Sequence, residues 1–420
     1  MRTDADYARE LDRQDELARF RDEFVIDDPS LIYLDGNSLG RLPKRTIVRM
    51  REVVEREWGG RLVRGWNDGW FTLAQRVGGK IATLIGAEAD EVIVADSTSV
   101  NLFKLTLAAL GARPGRRKVV TDYLNFPSDL YVLDGALELA GPSYDHDSVL
   151  SRDGQTVSPD DLAAVIDDDT ALVSLTHTAF RSGFVHDMAA ITELAHRAGS
   201  LMLWDLCHSV GAMPIELNRV AVDLAVGCTY KYLNGGPGAP AFLFVRRELQ
   251  EQLVSPIWGW FGQQSQFDFD PTYQPAAGVS RFQAGTPPIL SLAAVEPGVD
   301  LVLEAGIERI RAKSIRQTEY LIALWQEFLE PLGVTLHSPR EPACRGSHVS
   351  FGHPAGLRIA RSLIDEMGVI PDFRSPDNLR LGVSPLSTSF AEVHEGVMRL
   401  RRVIQERSYE RQTVERPAVT

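Results

Sequence analysis

Short apolar segments that alternate with stretches of helical periodicity constrain the fold of this 420-residue chain most strongly. From residue 91 onward the apolar segments read EVIVADST, RKVVTD, ALVSLTH, LMLWDL, AVDLAVGCT and APAFLFV. This alternation predicts an α/β domain with a mostly parallel sheet, and the near-continuous apolar character predicts helices on both faces. Because ligands bind beyond the carboxyl ends of such strands, polar residues that directly follow each segment are candidate site residues.

The pattern changes near residue 290, where a smaller α+β unit is predicted to begin. Residues 301–333 are expected to form one long helix, followed by two short apolar segments and two further helices. We therefore expect an N-terminal arm (1–55) packing on the small domain, a large domain (56–295) and a small C-terminal domain (296–420). The charged tail, 406–420, is expected to fray.

Charge and cysteine content exclude several classes of protein. The net charge of −13 argues against nucleic acid or an anionic membrane as partner, since both attract basic patches. The densely charged first residues do not resemble a signal peptide, and no apolar run reaches the length of a membrane span. The three cysteines form no C-x-x-C pair, so we expect a reducing, cytoplasmic location and no metal site.

Two ionisable residues stand at the ends of predicted buried strands. Asp205 follows LMLW, and Lys231 follows AVDLAVGCT between two tyrosines and ahead of the turn sequence NGGPG. Asp205 could simply cap a turn, and Lys231 could extend to solvent as a surface lysine. The flanking aromatic residues and glycines argue against the surface position, because glycines allow close approach of the backbone to a ligand.

Other strand ends carry groups that would suit an anionic aromatic ligand. Hydroxyl side chains at 97–99 begin a predicted helix, where free backbone N–H groups favour an anion. Phe126 and Asp129 follow the second segment, and His208 follows Asp205. Taken singly, an ordinary helix cap and ordinary loops are the favoured interpretations of these residues.

Pyridoxal phosphate explains these residues together. This cofactor requires a lysine for covalent attachment, a carboxylate at its ring nitrogen, an anion cradle for its phosphate and an aromatic face against its ring. Lys231, Asp205, the 97–99 helix start and Phe126 with His208 supply those parts. Burial would disfavour the charged form of Lys231, and the neutral amine is the nucleophile that attachment requires.

Eight motifs in the chain resemble those of the kynureninase family, which are pyridoxal-phosphate enzymes of fold type I. The motifs are YLDGNSLG (33–40), DSTSVNLFKL (96–105), FPSDLY (126–131), WDLCHSVGA (204–212), GCTYKYLNGGPGAPAF (227–242), GWFG (259–262), FQAGTPPILS (282–291) and PDNLRLGVSPL (376–386). The resemblance implies an aspartate-aminotransferase-like large domain, pyridoxal 5′-phosphate as cofactor, a homodimer, and a place in tryptophan catabolism and NAD biosynthesis.

The resemblance also implies roles for individual residues. Lys231, Tyr230 and Asp205 would be catalytic. The implied cofactor-binding residues are Thr98, Ser99, Phe126, Pro127, Ser128, Asp129, Thr176, Asp205, His208, Tyr230, Lys231, Trp260 and Thr286. The implied substrate-binding residues are Asn37, Ser38, Trp66 and Arg380. Trp260 and Thr286 would complete the phosphate site in the same chain or across a dimer.

The family reaction is the hydrolytic cleavage of L-kynurenine to anthranilate and L-alanine, with 3-hydroxykynurenine as a possible second substrate. Trp66 would fill space at the aromatic end and favours the smaller kynurenine. Two alternatives share the fold: an aminotransferase, and a cysteine desulfurase or selenocysteine lyase. The latter needs a thiolate on a mobile loop, yet residues 368–380 contain no cysteine. A catalytically inactive scaffold would lack Lys231 or Asp205.

Overall fold

A computed structural model describes residues 1–413. The strands are β1 (Ile32–Tyr33), β2 (Val92–Val94), β3 (Lys118–Asp122), β4 (Asp145–Val149), β5 (Thr170–Thr176), β6 (Leu201–Asp205), β7 (Leu224–Gly227), β8 (Phe242–Val245), β9 (Thr335–Leu336), β10 (His348–Gly352), β11 (Val369–Ile370), β12 (Asp372–Arg374) and β13 (Asn378–Gly382). The α-helices are α1 (Ala5–Arg13), α2 (Lys44–Arg51), α3 (Gly65–Asp68), α4 (Leu73–Leu84), α5 (Thr98–Gly111), α6 (Pro127–Ala140), α7 (Pro159–Ala163), α8 (Met188–Arg197), α9 (Ile289–Ala305), α10 (Ile307–Leu324), α11 (Gly356–Met367) and α12 (Phe390–Gln405).

A seven-stranded sheet forms the centre of the large domain, in the order β2-β8-β7-β6-β5-β3-β4. The strands from β7 to β4 pair in parallel, whereas β8 runs antiparallel to both of its neighbours. All six apolar segments form strands of this sheet, which confirms the predicted α/β class. The edge strand β4 has the polar sequence DHDSV, so apolar content gave no signal for it.

Burial on both faces explains why the central strands are continuously apolar. Every residue of β5, β6, β7 and β8 is buried. Helices α4, α5 and α9 contribute apolar side chains to the same core as these strands. A parallel sheet requires this cover, since its crossover helices lie on its faces. The carboxyl ends of β5, β6 and β7 therefore remain the open edge at which side chains can meet a ligand.

The small domain contains the four-stranded antiparallel sheet β12-β13-β10-β9 and a second apolar core with helices α10, α11 and α12. The single long helix expected over 301–333 is wrong, because the chain turns at Gly306 between α9 and α10 with φ of +81°. That left-handed conformation favours glycine. Helix α9 packs in the large-domain core. The chain therefore passes from the large-domain core to the small-domain core within α10 rather than near residue 295.

The N-terminal arm contacts both cores. Helix α1 packs against α12 of the small domain, and β1 pairs with β11. Between them, Leu17, Phe20 and Phe24 are buried in the large-domain core. Residues 408–411 of the predicted frayed tail form a short 3-10 helix. The last residues of the tail, 414–420, lie outside the described residues. Within residues 1–413, no helix is both long and apolar enough to cross a membrane.

Candidate active site

A cavity of about 270 Å³ opens at the carboxyl edge of the large sheet, facing the small domain. Its lining residues are Asn37, Ser38, Ser97, Thr98, Ser99, Phe126, Ser128, Asp129, Thr176, Phe180, Asp205, Cys207, His208, Tyr230, Lys231, Arg374 and Arg380. Most of the polar residues predicted from the strand ends therefore meet in one cavity.

Asp205 and Lys231 reach this cavity from neighbouring strands. Asp205 is the last residue of β6, is 5% exposed, and accepts a hydrogen bond from the Cys207 N–H at 2.7 Å. Lys231 follows β7, and its Nζ lies 6.0 Å from the ring centroid of Phe126 and 5.8 Å from that of Tyr230. The pairing of β6 with β7 thus places an amine and a buried carboxylate in the same small volume.

A second carboxyl group stands beside Asp205. Asp129, in the first turn of α6, is 3% exposed, and the Ser128 hydroxyl lies 3.4 Å from its Oδ1. Burial, together with the charge of Asp205 and a hydrogen bond to it, raises the pKa of Asp129 well above its usual range. The raised pKa favours the protonated form of Asp129, which can then donate a hydrogen bond to Asp205.

The N-terminus of α5 forms an anion cradle at one end of the cavity. Thr98 and Ser99 occupy the first turn of this 14-residue helix, and the Ser97 side chain caps it by accepting a backbone N–H at 3.4 Å. The preceding Asp96 has a φ of +48°, and the buried Lys104 Nζ holds its carboxylate at 2.7 Å. Backbone N–H groups and hydroxyls directed at one volume favour a phosphate.

Arg380 lies on the small-domain side of the cavity. It is 1% exposed and forms an ion pair with Asp372, while its Nη1 donates to the Phe180 carbonyl at 2.5 Å. Its Nη2 is 3.4 Å from the Ser38 hydroxyl. Among the described residues, the buried amide of Asn37 has no hydrogen-bond partner. A fixed guanidinium with a nearby unsatisfied amide suits a carboxylate ligand.

The two buried histidines near the cavity are neutral. Their rings, His208 and His348, lie 5.7 Å apart in edge-on contact. Burial and the positive charges of Lys231 and Arg380 lower the pKa of both imidazoles well below the usual range. Burial also raises the pKa of Tyr230, so its phenol is protonated at neutral pH. His208 and Tyr230 can therefore act as neutral hydrogen-bonding groups.

Comparison with known proteins identifies the family. A family model described as the kynureninase C-terminal domain matches residues 310–400. A kynureninase from Pseudomonas fluorescens is 44% identical over 404 residues, which cover 95% of this chain and 95% of the relative. This chain belongs to the kynureninase family.

Solved structures with the same fold include enzymes outside the kynureninase family. A cystine C–S lyase mutant with glycine linked covalently to its pyridoxal-phosphate cofactor has a TM-score of 0.78 at 18% identity, covering 89% of this chain and 97% of that chain. A cysteine desulfurase from Thermococcus onnurineus NA1 has a TM-score of 0.77 at 19% identity, covering 97% and 99% of the two chains. These similarities show the fold alone, and they confirm the predicted fold type.

Four residues that the kynureninase resemblance assigned to the site do not line this cavity: Trp66, Pro127, Trp260 and Thr286. Trp66, Trp260 and Thr286 line a second cavity of about 330 Å³, together with Phe71 and other aromatic side chains. Trp260 is 39% exposed, and Thr286 is also exposed. Within one chain, these residues are therefore near each other rather than near Lys231. Pro127 is the first residue of α6 and fixes the start of that helix beside the cavity.

Sequence reasoning assigned no role to several residues that shape this kynureninase-family site. Phe180 packs edge-on against Phe126, with ring centroids 5.1 Å apart, and its carbonyl binds Arg380. Arg374 and Asp372 come from β12, and Asp372 orients Arg380 through the β12–β13 pairing. The alternating charges in the segment DFRSPDNLR were a usable signal for this cluster, since opposed charges on paired strands stabilise each other.

Proposed function

We propose that this chain hydrolyses L-kynurenine to anthranilate and L-alanine with pyridoxal 5′-phosphate as cofactor. The observation that carries the proposal is the convergence of Lys231, the Asp129–Asp205 pair and Arg380 on one cavity. An amine, a carboxylate for a ring nitrogen and an anchor for a substrate carboxylate are the groups that such an enzyme requires. Membership of the kynureninase family selects this reaction among those that the same groups could perform.

The chemistry of the cavity fits the cofactor. The Asp129–Asp205 pair is buried and bears negative charge, so it suits a cationic ring nitrogen. The start of α5 suits the phosphate, with Thr98 and Ser99 as its ligands. Phe126 would face the ring, and Lys231 would hold the cofactor covalently. Ser128, Thr176 and His208 line the same volume and would complete its binding site.

When bound, pyridoxal phosphate supplies an electron sink conjugated to the substrate amino group. Asp205, a buried carboxyl group in the cavity wall, would favour the protonated form of the ring nitrogen. Lys231 then serves as the base that takes the substrate α-proton. Tyr230 is our candidate proton donor for the step in which the bond to the side-chain carbonyl breaks, because its phenol is protonated at neutral pH.

We assign the substrate α-carboxylate to Arg380. Asp372 and the Phe180 carbonyl fix the guanidinium, so little side-chain entropy remains to be lost on binding. Asn37 and Ser38 lie beside it and would supply further hydrogen bonds. An α-amino acid is thus held by its carboxylate at one end and its amino group at the other, as cleavage at the side chain requires.

We further propose that the active form is a homodimer. Val63, Phe267 and Phe269 are 76%, 59% and 74% exposed beside the second cavity, which is unusual for large apolar side chains that no partner covers. A second copy of the chain would cover this surface. Trp260 and Thr286 would then complete the phosphate site of the partner, and Trp66 would contact the aromatic end of its substrate.

The deciding experiment measures products from kynurenine as sole substrate. We expect anthranilate fluorescence and alanine to appear in equal amounts, with no effect of added 2-oxoglutarate or pyruvate. Turnover that requires the oxo acid would identify an aminotransferase. Faster release of sulfide from cysteine would identify a desulfurase, a reaction that the absence of cysteine from residues 368–380 disfavours.

A further inference from the structure

We propose that Cys207 and Cys228 are a modification site: a dithiol in the cavity wall that a peroxide converts to a disulfide. The proposal rests on the proposed function only in its consequence, the loss of cofactor affinity. The two cysteines are free and buried, at 8% and 1% exposure, and no step of the reaction uses them.

The strand register places these two residues side by side. β6 pairs with β7 as Leu203 with Leu224 and Asp205 with Val226, and the same offset matches Cys207 with Cys228 just beyond the strands. Neighbouring strands lie about 4.8 Å apart. This spacing falls within the Cα–Cα range of about 4.4–6.8 Å that a disulfide spans.

Hydrogen bonds confirm that the two cysteines are adjacent. The Cys228 N–H donates to Cys207 Sγ at 3.1 Å, and the Cys228 thiol is 3.8 Å from the Cys207 carbonyl oxygen. Neither sulfur therefore has to cross another side chain to reach its partner. Because the Cys207 sulfur already accepts a hydrogen bond from the Cys228 backbone N–H, formation of the bond requires mainly rotation of side chains.

The two thiols differ in access and in acidity. Cys207 lines the cavity, whereas Cys228 lies behind it. The side-chain hydrogen bond with the Cys228 thiol, together with burial, raises the pKa of the Cys207 thiol. Burial opposes ionisation of Cys228, but the hydrogen bond with Cys207 and the charge of Lys231 lower the pKa of that thiol. Cys207 is therefore the thiol that a peroxide in the cavity reaches, although it reacts slowly. Cys228 is the better nucleophile for the next step, the attack on oxidised Cys207.

The reaction balances with one peroxide as the oxidant. The Cys207 sulfur takes one oxygen from hydrogen peroxide, the O–O bond breaks, and water leaves, giving a sulfenic acid. The Cys228 thiolate then attacks that sulfur, the S–S bond forms, and the S–O bond breaks. The departing hydroxide takes up a proton as water. Overall, two thiols are oxidised by two electrons and one peroxide is reduced to two waters.

The disulfide would disturb the phosphate end of the cavity. The Cys207 Sγ lies 3.7 Å from the Thr98 Oγ1, which we assign to the cofactor phosphate. Bond formation would remove the S–H of Cys207, so the Thr98 hydroxyl would lose the thiol as a hydrogen-bond donor. We expect cofactor affinity to fall about tenfold, the effect of weakening one hydrogen bond to a charged group.

The test treats the full chain with excess hydrogen peroxide, with and without bound cofactor, and follows intact mass, cysteine-linked peptides and cofactor absorbance. We expect the cofactor-free chain to lose two hydrogens and to show a Cys207–Cys228 peptide that dithiothreitol reverses. Bound cofactor should slow the reaction, because it would cover Cys207. Cys344→Ser, at the half-buried third cysteine, should behave as wild type, and Cys228→Ala should form no cross-linked peptide and should instead carry added oxygen at Cys207.

Three results would overturn the proposal: no Cys207–Cys228 peptide, equal oxidation with and without cofactor, or a loss of cofactor affinity in wild type that dithiothreitol does not reverse. The mass and peptide readouts require no turnover. If the disulfide forms but the chain does not cleave kynurenine, the proposed function is contradicted while the proposed dithiol site is still supported.

Discussion

Asp129 and Asp205 bring two buried carboxyl groups together from different elements of the large domain, the first turn of α6 and the end of β6. Two carboxylates so close cannot both ionise easily, and burial with the charge of Asp205 raises the pKa of Asp129. The two residues therefore have different tasks. In the proposed function, Asp205 would carry the charge that a cationic ring nitrogen needs, and Asp129 would donate a hydrogen bond to the Asp205 carboxylate.

This division predicts different effects of two matched substitutions. Asp205→Asn removes the negative charge and should lower kcat by about 100-fold or more. Asp129→Asn keeps a donor in place of the protonated carboxyl and should cost less than about tenfold. Steady-state cleavage of kynurenine by both variants, at saturating cofactor, measures the difference. Equal losses in the two variants would contradict the assignment of the proton to Asp129.

Lys231→Ala should abolish turnover and remove the covalent attachment of the cofactor. The physical reason is that Lys231 is the lysine among the described residues that lines the cavity with Asp205. Borohydride reduction followed by peptide mass spectrometry identifies the modified residue. Lys44→Met is a useful control at an exposed lysine outside the cavity lining. A pyridoxyl group on any lysine other than Lys231 would refute the prediction.

Arg380→Lys should raise KM for kynurenine by about tenfold to 100-fold while the cofactor spectrum stays unchanged. Lysine keeps the positive charge beside Asp372, so the buried ion pair is not left unbalanced. It loses the two parallel hydrogen bonds that a guanidinium gives to a carboxylate. Kinetics with kynurenine and a cofactor titration separate the two effects. An unchanged KM would mean that the carboxylate binds elsewhere.

Asp35 should make the protein less stable as pH rises. Burial, with the nearby charge of Asp372, raises the pKa of Asp35 to about 6. A carboxyl group whose pKa is raised in the folded state binds more protons there than in the unfolded chain, so stability falls as pH rises from about 4 through about 6. Asp35→Asn should therefore gain about 1–1.5 kcal/mol relative to wild type between pH 5 and pH 8, because part of the effect already lies below pH 5.

Urea unfolding of both proteins at about pH 5 and about pH 8 measures this change, and the packing cost of asparagine cancels because it is the same at both pH values. Asp27→Asn provides a control at an exposed aspartate. If the free-energy difference between wild type and Asp35→Asn does not depend on pH, the Asp35 carboxyl does not titrate in this window.

The proposed homodimer predicts complementation between two impaired chains. Lys231→Ala lacks the amine in its own cavity, and Thr286→Ala would lack the hydroxyl that it lends to its partner. A mixed dimer contains one complete site, so refolding equal amounts together should restore up to about a quarter of wild-type activity. Light scattering at micromolar concentration should give twice the chain mass. An active monomer, or no recovery on mixing, would contradict the shared site.

The sequence by itself determined the central architecture and the core of the site. Apolar segments with intervening helical periodicity predicted the parallel sheet. Ionisable residues at the ends of two of these segments marked Asp205 and Lys231 as candidate site residues. This worked because a strand buried on both faces must be apolar along its whole length, so a charged residue at its end is conspicuous. The turn at Gly306 was missed because glycine within a helical pattern leaves both a continued helix and a break possible.

Only the tertiary structure decided which distant side chains share a volume. The pairing of Asp129 with Asp205 depends on how α6 packs beside the sheet, and the orientation of Arg380 depends on the β12–β13 register. The same holds for Trp66, Trp260 and Thr286, which form a separate cavity within one chain. Local periodicity reports only which face of an element is buried. Which faces meet depends on packing across the whole chain, and the charges and burial that set the chemistry of a site follow from that packing.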